Sequence, residues 1–176
     1  MSAKKQVYKI CIVGNSGVGK TTLLHQYLSK RFKSKAETTI GSNFFVKYLK
    51  FPEKKELVAL QVWDLAGQER FKWVRNAFYK GAKGIVYVFD LTDKNSFEVL
   101  MNWKLEVESV VGPISCVLVG NKVDLIDTID RSIENNESDI LKRELGAIAY
   151  IETSAKIGTN VDKAFYDLTL ELIRKP

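Results

Sequence analysis

The order of apolar runs and helix-period segments predicts an α/β fold of three layers. It would be a mainly parallel six-stranded sheet with one antiparallel strand and helices on both faces. Two observations carry this. Short apolar runs alternate with segments of period near 3.6 along the whole chain, giving the order β-α-β-β-α-β-α-β-α-β-α. The single place where two β-rich runs follow directly is Phe44–Phe51 and Leu57–Trp63, joined by the short polar link Pro52–Glu56, which reads as a hairpin and supplies the antiparallel strand.

The elements follow in order. Val7–Val13 reads as a strand. Gly19–Phe32 reads as a helix, with Leu23, Leu24, Tyr27 and Leu28 at helical spacing. After the hairpin, Arg70–Lys80 is expected as a helix and Gly84–Phe89 as a buried strand. Ser96–Val110 is a helix with Asn95 as its N-cap, and Ile114–Val119 is a second buried strand. Asp127–Ser138 is polar and reads as an exposed loop. Asp139–Leu145 reads as a helix ended by Gly146, Ala147–Ile151 as a last strand, and Val161–Ile173 as an amphipathic helix opened by Asn160 or Asp162. The chain has no repeat, linker or low-complexity tract, and its 176 residues fit one domain, 1–176.

Composition excludes several classes. At 45% hydrophobic the chain can bury a core without disulfides or a structural metal. Cys11 and Cys116 lie in apolar runs and read as reduced core thiols, which fits a cytoplasmic compartment. The one histidine, His25, cannot make a zinc cluster and is read as a bystander on a helix. The net charge of +6 comes largely from Lys4, Lys5, Lys9 and the run Lys30, Arg31, Lys33, Lys35. That charge reads mainly as a solvated face. A nucleic-acid partner is not expected, because no aromatic platform or binding motif accompanies it. No apolar stretch has the length of a membrane span, and no secretory leader is recognisable.

The first strand runs into Gly14-Asn15-Ser16-Gly17-Val18-Gly19-Lys20-Thr21, which fits G-x-x-x-x-G-K-[ST] with a strand before and a helix after. Glycines let backbone N–H groups turn toward phosphate, and the helix N-terminus adds its dipole. Lys20 would set a positive charge on the β- and γ-phosphates, and the Thr21 hydroxyl would ligate Mg²⁺. Ser16, Gly17, Val18, Gly19 and Thr22 complete the predicted phosphate cradle. The motif specifies a nucleoside triphosphate and makes the fold one of the P-loop NTPase type; it does not specify the base.

About 100 residues downstream stands Asn121-Lys122-x-Asp124, and about 30 further on Ser154-Ala155-Lys156. Asn121-Lys122-x-Asp124 resembles the guanine-recognition motif of small GTPases. A carboxylate at Asp124 can accept from guanine N1–H and the exocyclic amine together, which adenine cannot match. Sites built on such substrate hydrogen bonds discriminate by roughly 10⁴–10⁵. Lys122 is expected along the base with its aliphatic stem, and the Ala155 N–H at guanine O6, with Ser154 and Lys156 shaping the loop.

Two further segments, Thr38-Thr39-Ile40-Gly41 and Asp64-Leu65-Ala66-Gly67-Gln68-Glu69-Arg70-Phe71, complete the set. Taken together and in this order, the motifs resemble the Ras superfamily over nearly the full chain. The resemblance implies a GTP/GDP switch that hydrolyses GTP with Mg²⁺. Thr21, Thr39 and Asp64 would serve the metal, Gly67 would donate its N–H to the γ-phosphate, Gln68 would orient the attacking water, and Phe32 would cover the base edge. Trp63-Asp64-x-Ala66-Gly67-Gln68-Glu69-Arg70-Phe71 and Asn15-Ser16-Gly17-Val18 are similar to the Rab branch, as is an aromatic triad at Phe44, Trp63 and Phe78. The alternative for the triad is ordinary core packing.

Departures from the pattern are Leu65, where Rab proteins usually carry threonine, and Ala36, where many relatives carry a tyrosine lid. Leu172–Pro176 contains no cysteine for prenylation, so a lipidated tail is either truncated or never present. The resemblance implies a monomer that meets effectors, an exchange factor and an activating protein through Thr38–Gly41 and Asp64–Phe78. It implies a role in membrane traffic or signalling, in the cytoplasm or peripherally on the cytosolic face of membranes. Two other readings remain open: a nucleotide-binding scaffold with little hydrolysis, and a P-loop kinase or ATPase, against which the guanine motif weighs.

Overall fold

The computed structural model describes residues 4–30 and 39–175. Its strands are β1 (Lys4–Val13), β2 (Ser42–Phe51), β3 (Glu56–Leu65), β4 (Gly84–Asp90), β5 (Ser115–Asn121) and β6 (Tyr150–Thr153). Its helices are α1 (Lys20–Ser29), α2 (Lys72–Tyr79), α3 (Lys94–Glu98), α4 (Leu100–Val111), α5 (Asn135–Leu145) and α6 (Val161–Arg174). The sheet has the order β2-β3-β1-β4-β5-β6. Only β2 runs antiparallel, against β3, and every other pairing is parallel, as the hairpin and the crossovers require.

The two faces follow from alternation along the central strands. Ile10 and Ile12, Val86 and Val88, and Val117 and Val119 point to one side, where Leu23, Leu24 and Tyr27 of α1 and Phe165 and Leu168 of α6 cover them. Cys11 and Val13, Ile85, Tyr87 and Phe89, and Cys116 and Leu118 point to the other, against Tyr79 of α2, Phe97 of α3, Leu100 and Trp103 of α4, and Leu141 and Leu145 of α5. β4 is buried at every residue, which is why its sequence is a continuous apolar run rather than an alternating one. Both cysteines are free and buried, and burial pushes the Cys11 thiol up to about 12 and Cys116 to about 11. His25 sits on α1 with its ring edge-on to Phe45. Among the described residues no helix is long and apolar enough to cross a membrane.

Several boundaries differ from the sequence expectation. α1 stops at Ser29 instead of reaching Phe32: Lys30 turns left-handed (φ 55°) and gives its N–H to the Gln26 carbonyl. Phe32, Ala36 and Thr38 lie outside the described residues. The expected helix 70–80 is a 3₁₀ turn, Glu69–Phe71, followed by α2. The expected single helix 96–110 is two helices broken at Val99, and its cap is Asp93, whose carboxylate accepts from the Asn95 N–H at 3.1 Å. The polar stretch expected to be loop as far as Ser138 becomes helical at Asn135. A reciprocal capping box between Glu134 and Glu137 satisfies the first-turn amides there. The last strand is Tyr150–Thr153 rather than 147–151, although the Ile148 N–H still reaches the Cys116 carbonyl at 2.9 Å. β4 and β5 each run past their apolar cores, to Asp90 and Asn121, and so carry polar side chains to the carboxyl edge of the sheet.

Phe165 is fully buried and stacks on Tyr27 with centroids 4.0 Å apart, joining α6 to α1. Phe165→Ala should cost about 3–5 kcal/mol. The urea midpoint measures it, and a loss under about 1 kcal/mol would show that the two helices can close the gap without the ring.

Candidate functional site

The loops at the carboxyl ends of β1, β3, β5 and β6 meet on one edge of the sheet, where ligands of such folds bind. The loop after β1 is packed tightly. Gly19, the N-cap of α1, has φ 98°, and a Cβ there would collide with the Asn121 side-chain amide. Gly67 lies so close that a Cβ would sit 2.5 Å from the Gly14 carbonyl oxygen and collide with the Ser16 nitrogen. The loops that the sequence reading assigned to phosphate and to switching are therefore in backbone contact.

Lys20 is buried and folds back over this loop, its ammonium donating to the Gly14 carbonyl at 2.7 Å and the Asn15 carbonyl at 2.8 Å. Burial lowers its pKa to about 8; Asp64 opposes the shift and Arg75 adds to it. A desolvated cation held by neutral carbonyls is an anion site by its electrostatics. Ser16 and Gly17 are exposed above it, Val18 is buried, and Thr22 follows in the first turn of α1.

Three oxygen-bearing side chains converge next to Lys20. Thr21 Oγ1 donates to Asp64 Oδ2 at 2.5 Å and lies 2.8 Å from Thr39 Oγ1, while Asn43 Nδ2 donates to Asp64 Oδ2 at 3.4 Å. Asp64 is fully buried, and its second oxygen, Oδ1, has no hydrogen-bond partner among the described residues. Burial raises the Asp64 carboxyl, opposed by the Thr21 hydrogen bond and the Lys20 charge. An orphaned carboxylate oxygen beside two hydroxyls is a hard-oxygen donor set, and it fits a small divalent cation such as Mg²⁺. Among the described residues no cluster of three His, Cys, Asp or Glu offers another metal site.

On the base side, Asn121 is the junction. Its amide donates to the Val18 carbonyl at 2.9 Å, and its oxygen accepts from Thr153 Oγ1 at 3.0 Å and from the Ala155 N–H at 3.1 Å. The Ala155 N–H that the resemblance implies for guanine O6 is thus held by Asn121. Ser154 donates to Asp124 Oδ1 at 2.5 Å, leaving the other carboxylate oxygen of Asp124 outside that bond. Lys122 has φ 70° and pairs with Asp90 at 2.6 Å. Lys156 is exposed beside them.

Gln68 is half-buried and caps the 3₁₀ turn that leads into α2. The aromatic side chains Phe44, Trp63 and Phe78 meet in series, their rings tilted by 42° and 38° with centroids 4.7 and 5.1 Å apart. Phe44 is 46% exposed, whereas Trp63 and Phe78 are partly buried and pack against the core, so the series runs from the surface into the core. Leu65 is fully buried and packs under the helical face of α2–α5.

Sequence reasoning missed four participants. Asp90 could have been found from its place at the end of an apolar strand. Arg75, Glu106 and Trp103 could not: on α2 and α4 they read as ordinary surface and core positions, and only the packing of the two helices brings them together.

The Ras family model matches residues 9–174. The Ras-related protein RABG3f of Arabidopsis thaliana is 40% identical over 98% of this chain and 85% of its own length. The Ras-related protein Rab-13 of Bos taurus is 40% identical over 98% and 83%, and the Ras-related protein Rab7 of Cenchrus ciliaris 41% identical over 93% and 81%. A family match from within β1 to the end of α6, with Rab-named relatives aligned along nearly the whole chain, means that the chain belongs to the Ras family, in its Rab-like branch, and so to the small GTPases.

Proposed function

We propose that this GTPase is a molecular switch of membrane traffic that binds GTP and GDP with Mg²⁺ and converts GTP to GDP and phosphate. The observation that carries the reading is the convergence of Thr21, Thr39 and Asp64 beside the buried Lys20 ammonium. It joins the phosphate loop to both switch segments at one point, where a triphosphate would be felt by all three.

In this reading the Lys20 ammonium exchanges the Gly14 and Asn15 carbonyls for β- and γ-phosphate oxygens. Thr21, Thr39 and Asp64 would hold Mg²⁺, which would supply positive charge to the phosphates. Gly67 donates its N–H to the γ-phosphate, and Gln68 orients water for in-line attack, so the residues contribute positioning and charge rather than covalent chemistry. The backbone N–H groups of Ser16–Gly19, with Thr22, complete the phosphate cradle. Asp124 accepts from guanine N1–H and the exocyclic amine, and Asn121, Lys122, Ser154, Ala155 and Lys156 frame the base. When the γ-phosphate leaves, Thr39 and Gly67 lose its contacts and the two loops relax, so nucleotide state becomes surface shape.

Effectors and regulators read that shape through Thr39–Gly41 and Asp64–Phe78. Ile40 and Trp73 are each 79% exposed and lie in those segments, with the Phe44–Trp63–Phe78 stack between. Membrane contact is peripheral and involves a partner or the basic N-terminal lysines, which alone give weak, salt-sensitive attraction.

Three variants test the assignment. Lys20→Ala should weaken GTP binding by roughly 100-fold, the scale of losing charge-assisted hydrogen bonds to phosphate. Titration with a fluorescent GTP analogue measures this, and unchanged affinity would remove Lys20 from the site. Asp124→Asn should turn preference from guanine toward xanthine, because an amide pairs with a second carbonyl at C2. Competition between GTP and XTP reads it out, and a retained preference for GTP would refute the base contact. Gln68→Leu should leave GTP affinity intact while single-turnover hydrolysis slows by about 10–100-fold. Equal rates in the two proteins would take the water-positioning role from Gln68, and GTP bound but never converted by the parent would favour a binding scaffold.

A further inference from the structure

We infer that Arg75 of α2, paired with Glu106 of α4, is a positioning residue that fixes the Gly67–Gln68 backbone from behind the nucleotide site; this rests on the hydrolytic reading above. Arg75 is 1% and Glu106 7% exposed. Two nitrogens of the guanidinium meet the two carboxylate oxygens, Nε to Oε1 at 2.7 Å and Nη2 to Oε2 at 2.8 Å. The remaining terminal nitrogen, Nη1, donates to the Ala66 carbonyl at 3.0 Å and the Gln68 carbonyl at 2.8 Å. One planar fork therefore grips the carbonyls on either side of Gly67, the segment assigned to the γ-phosphate and the attacking water.

The fork is itself held on its other sides. Tyr79 donates to Glu106 Oε1 at 2.7 Å, fixing the carboxylate. The guanidinium lies over the Trp103 ring, 4.3 Å from its centroid, and the Trp103 indole donates to Asn15 Oδ1 in the phosphate loop at 3.2 Å. Joining α2 to α4 does not require this. Apolar side chains of similar volume pack as well as a buried ion pair and avoid its desolvation cost. What the guanidinium adds is direction: a rigid fork with several donors in fixed geometry sets where two carbonyls lie, which lysine or an apolar residue cannot do. The chain of contacts runs from the phosphate loop through Trp103 and Arg75 to Gln68 without passing through the nucleotide.

The experiment compares the parent with Arg75→Lys, which keeps the charge and loses the fork, and Glu106→Gln, which keeps one acceptor oxygen and serves if the first variant does not fold. Each is loaded with GDP, with GTP and with a non-hydrolysable GTP analogue. Expected for Arg75→Lys are nucleotide affinities within about threefold of the parent, a loss in the rate constant rather than in binding. Its single-turnover hydrolysis should fall about 10–100-fold, the scale of an ångström-level misplacement of a reacting group. In the analogue-loaded protein, amide hydrogen exchange at Gly67–Glu69 should quicken about tenfold while β4 and β5 stay protected. Glu106→Gln should fall between parent and Arg75→Lys on both readouts. Unchanged exchange at Gly67–Glu69 overturns the proposal, and so does faster exchange with an unchanged hydrolysis rate. A parent that binds GTP and converts none overturns the hydrolytic reading instead, and exchange at Gly67–Glu69 then decides by itself whether Arg75 fixes that backbone.

Discussion

The close approach of three loop segments at the carboxyl edge of the sheet, two of them backbone against backbone, is the constraint on which the rest of this protein depends. Gly67, after β3, lies against Ser16 and Gly14 in the loop after β1, and Gly19 lies under the Asn121 amide at the end of β5. Neither contact leaves room for a side chain. Because β1 is the strand between β3 and β4, its loop touches both halves of the edge, Gly67 on one side and Asn121 on the other. Strand order thus decides that one short glycine-bearing turn is shared by the segments assigned to phosphate, base and switching.

That sharing explains how polar side chains are used here. Lys20, Asp64, Asn121 and Arg75 are all buried, and each bonds across an element boundary rather than within its own. Asn121 ties the phosphate loop to the loop after β6. Asp64 ties β3 to α1. Arg75 ties the start of α2 to α4. Buried polar groups of this kind are costly when unpaired and directional when paired, so they hold loop geometry that apolar packing alone would leave loose. The exception is Asp64 Oδ1, which is buried without a hydrogen-bond partner among the described residues.

The same edge separates rigid from responsive parts. β4 and β5 are sealed between helical layers, and their last residues, Asp90 and Asn121, anchor Lys122 and Ala155. Among the described residues, the segments around Thr39 and Gln68 are held by a threonine pair, the Ala66 N–H to the Gly41 carbonyl at 2.9 Å, the Gly67 approach and the Arg75 fork. Elements that must change with the ligand are drawn from the weakly held end of a structure.

The sequence by itself determined the fold class, the order of strands and helices, and the motifs that carry the family resemblance. Those are written in local terms: period-2 and period-3.6 apolar spacing, a hairpin link, and glycines and charged residues at fixed offsets. By resemblance it also grouped Phe44, Trp63 and Phe78, with core packing as the alternative; their rings meet in series, Phe44 exposed and the other two against the core. Boundaries were less accessible. The break at Val99 and the early start of α5 depend on caps made by Asp93 and by Glu134 with Glu137, residues that look like plain loop in a row of letters. Only the tertiary structure decided that Arg75, Glu106, Trp103 and Asn15 form one network, because they come from three separate segments of chain. No periodicity joins such residues; they meet because the fold sets α2 against α4 and brings Asn15, in the loop after β1, against Trp103.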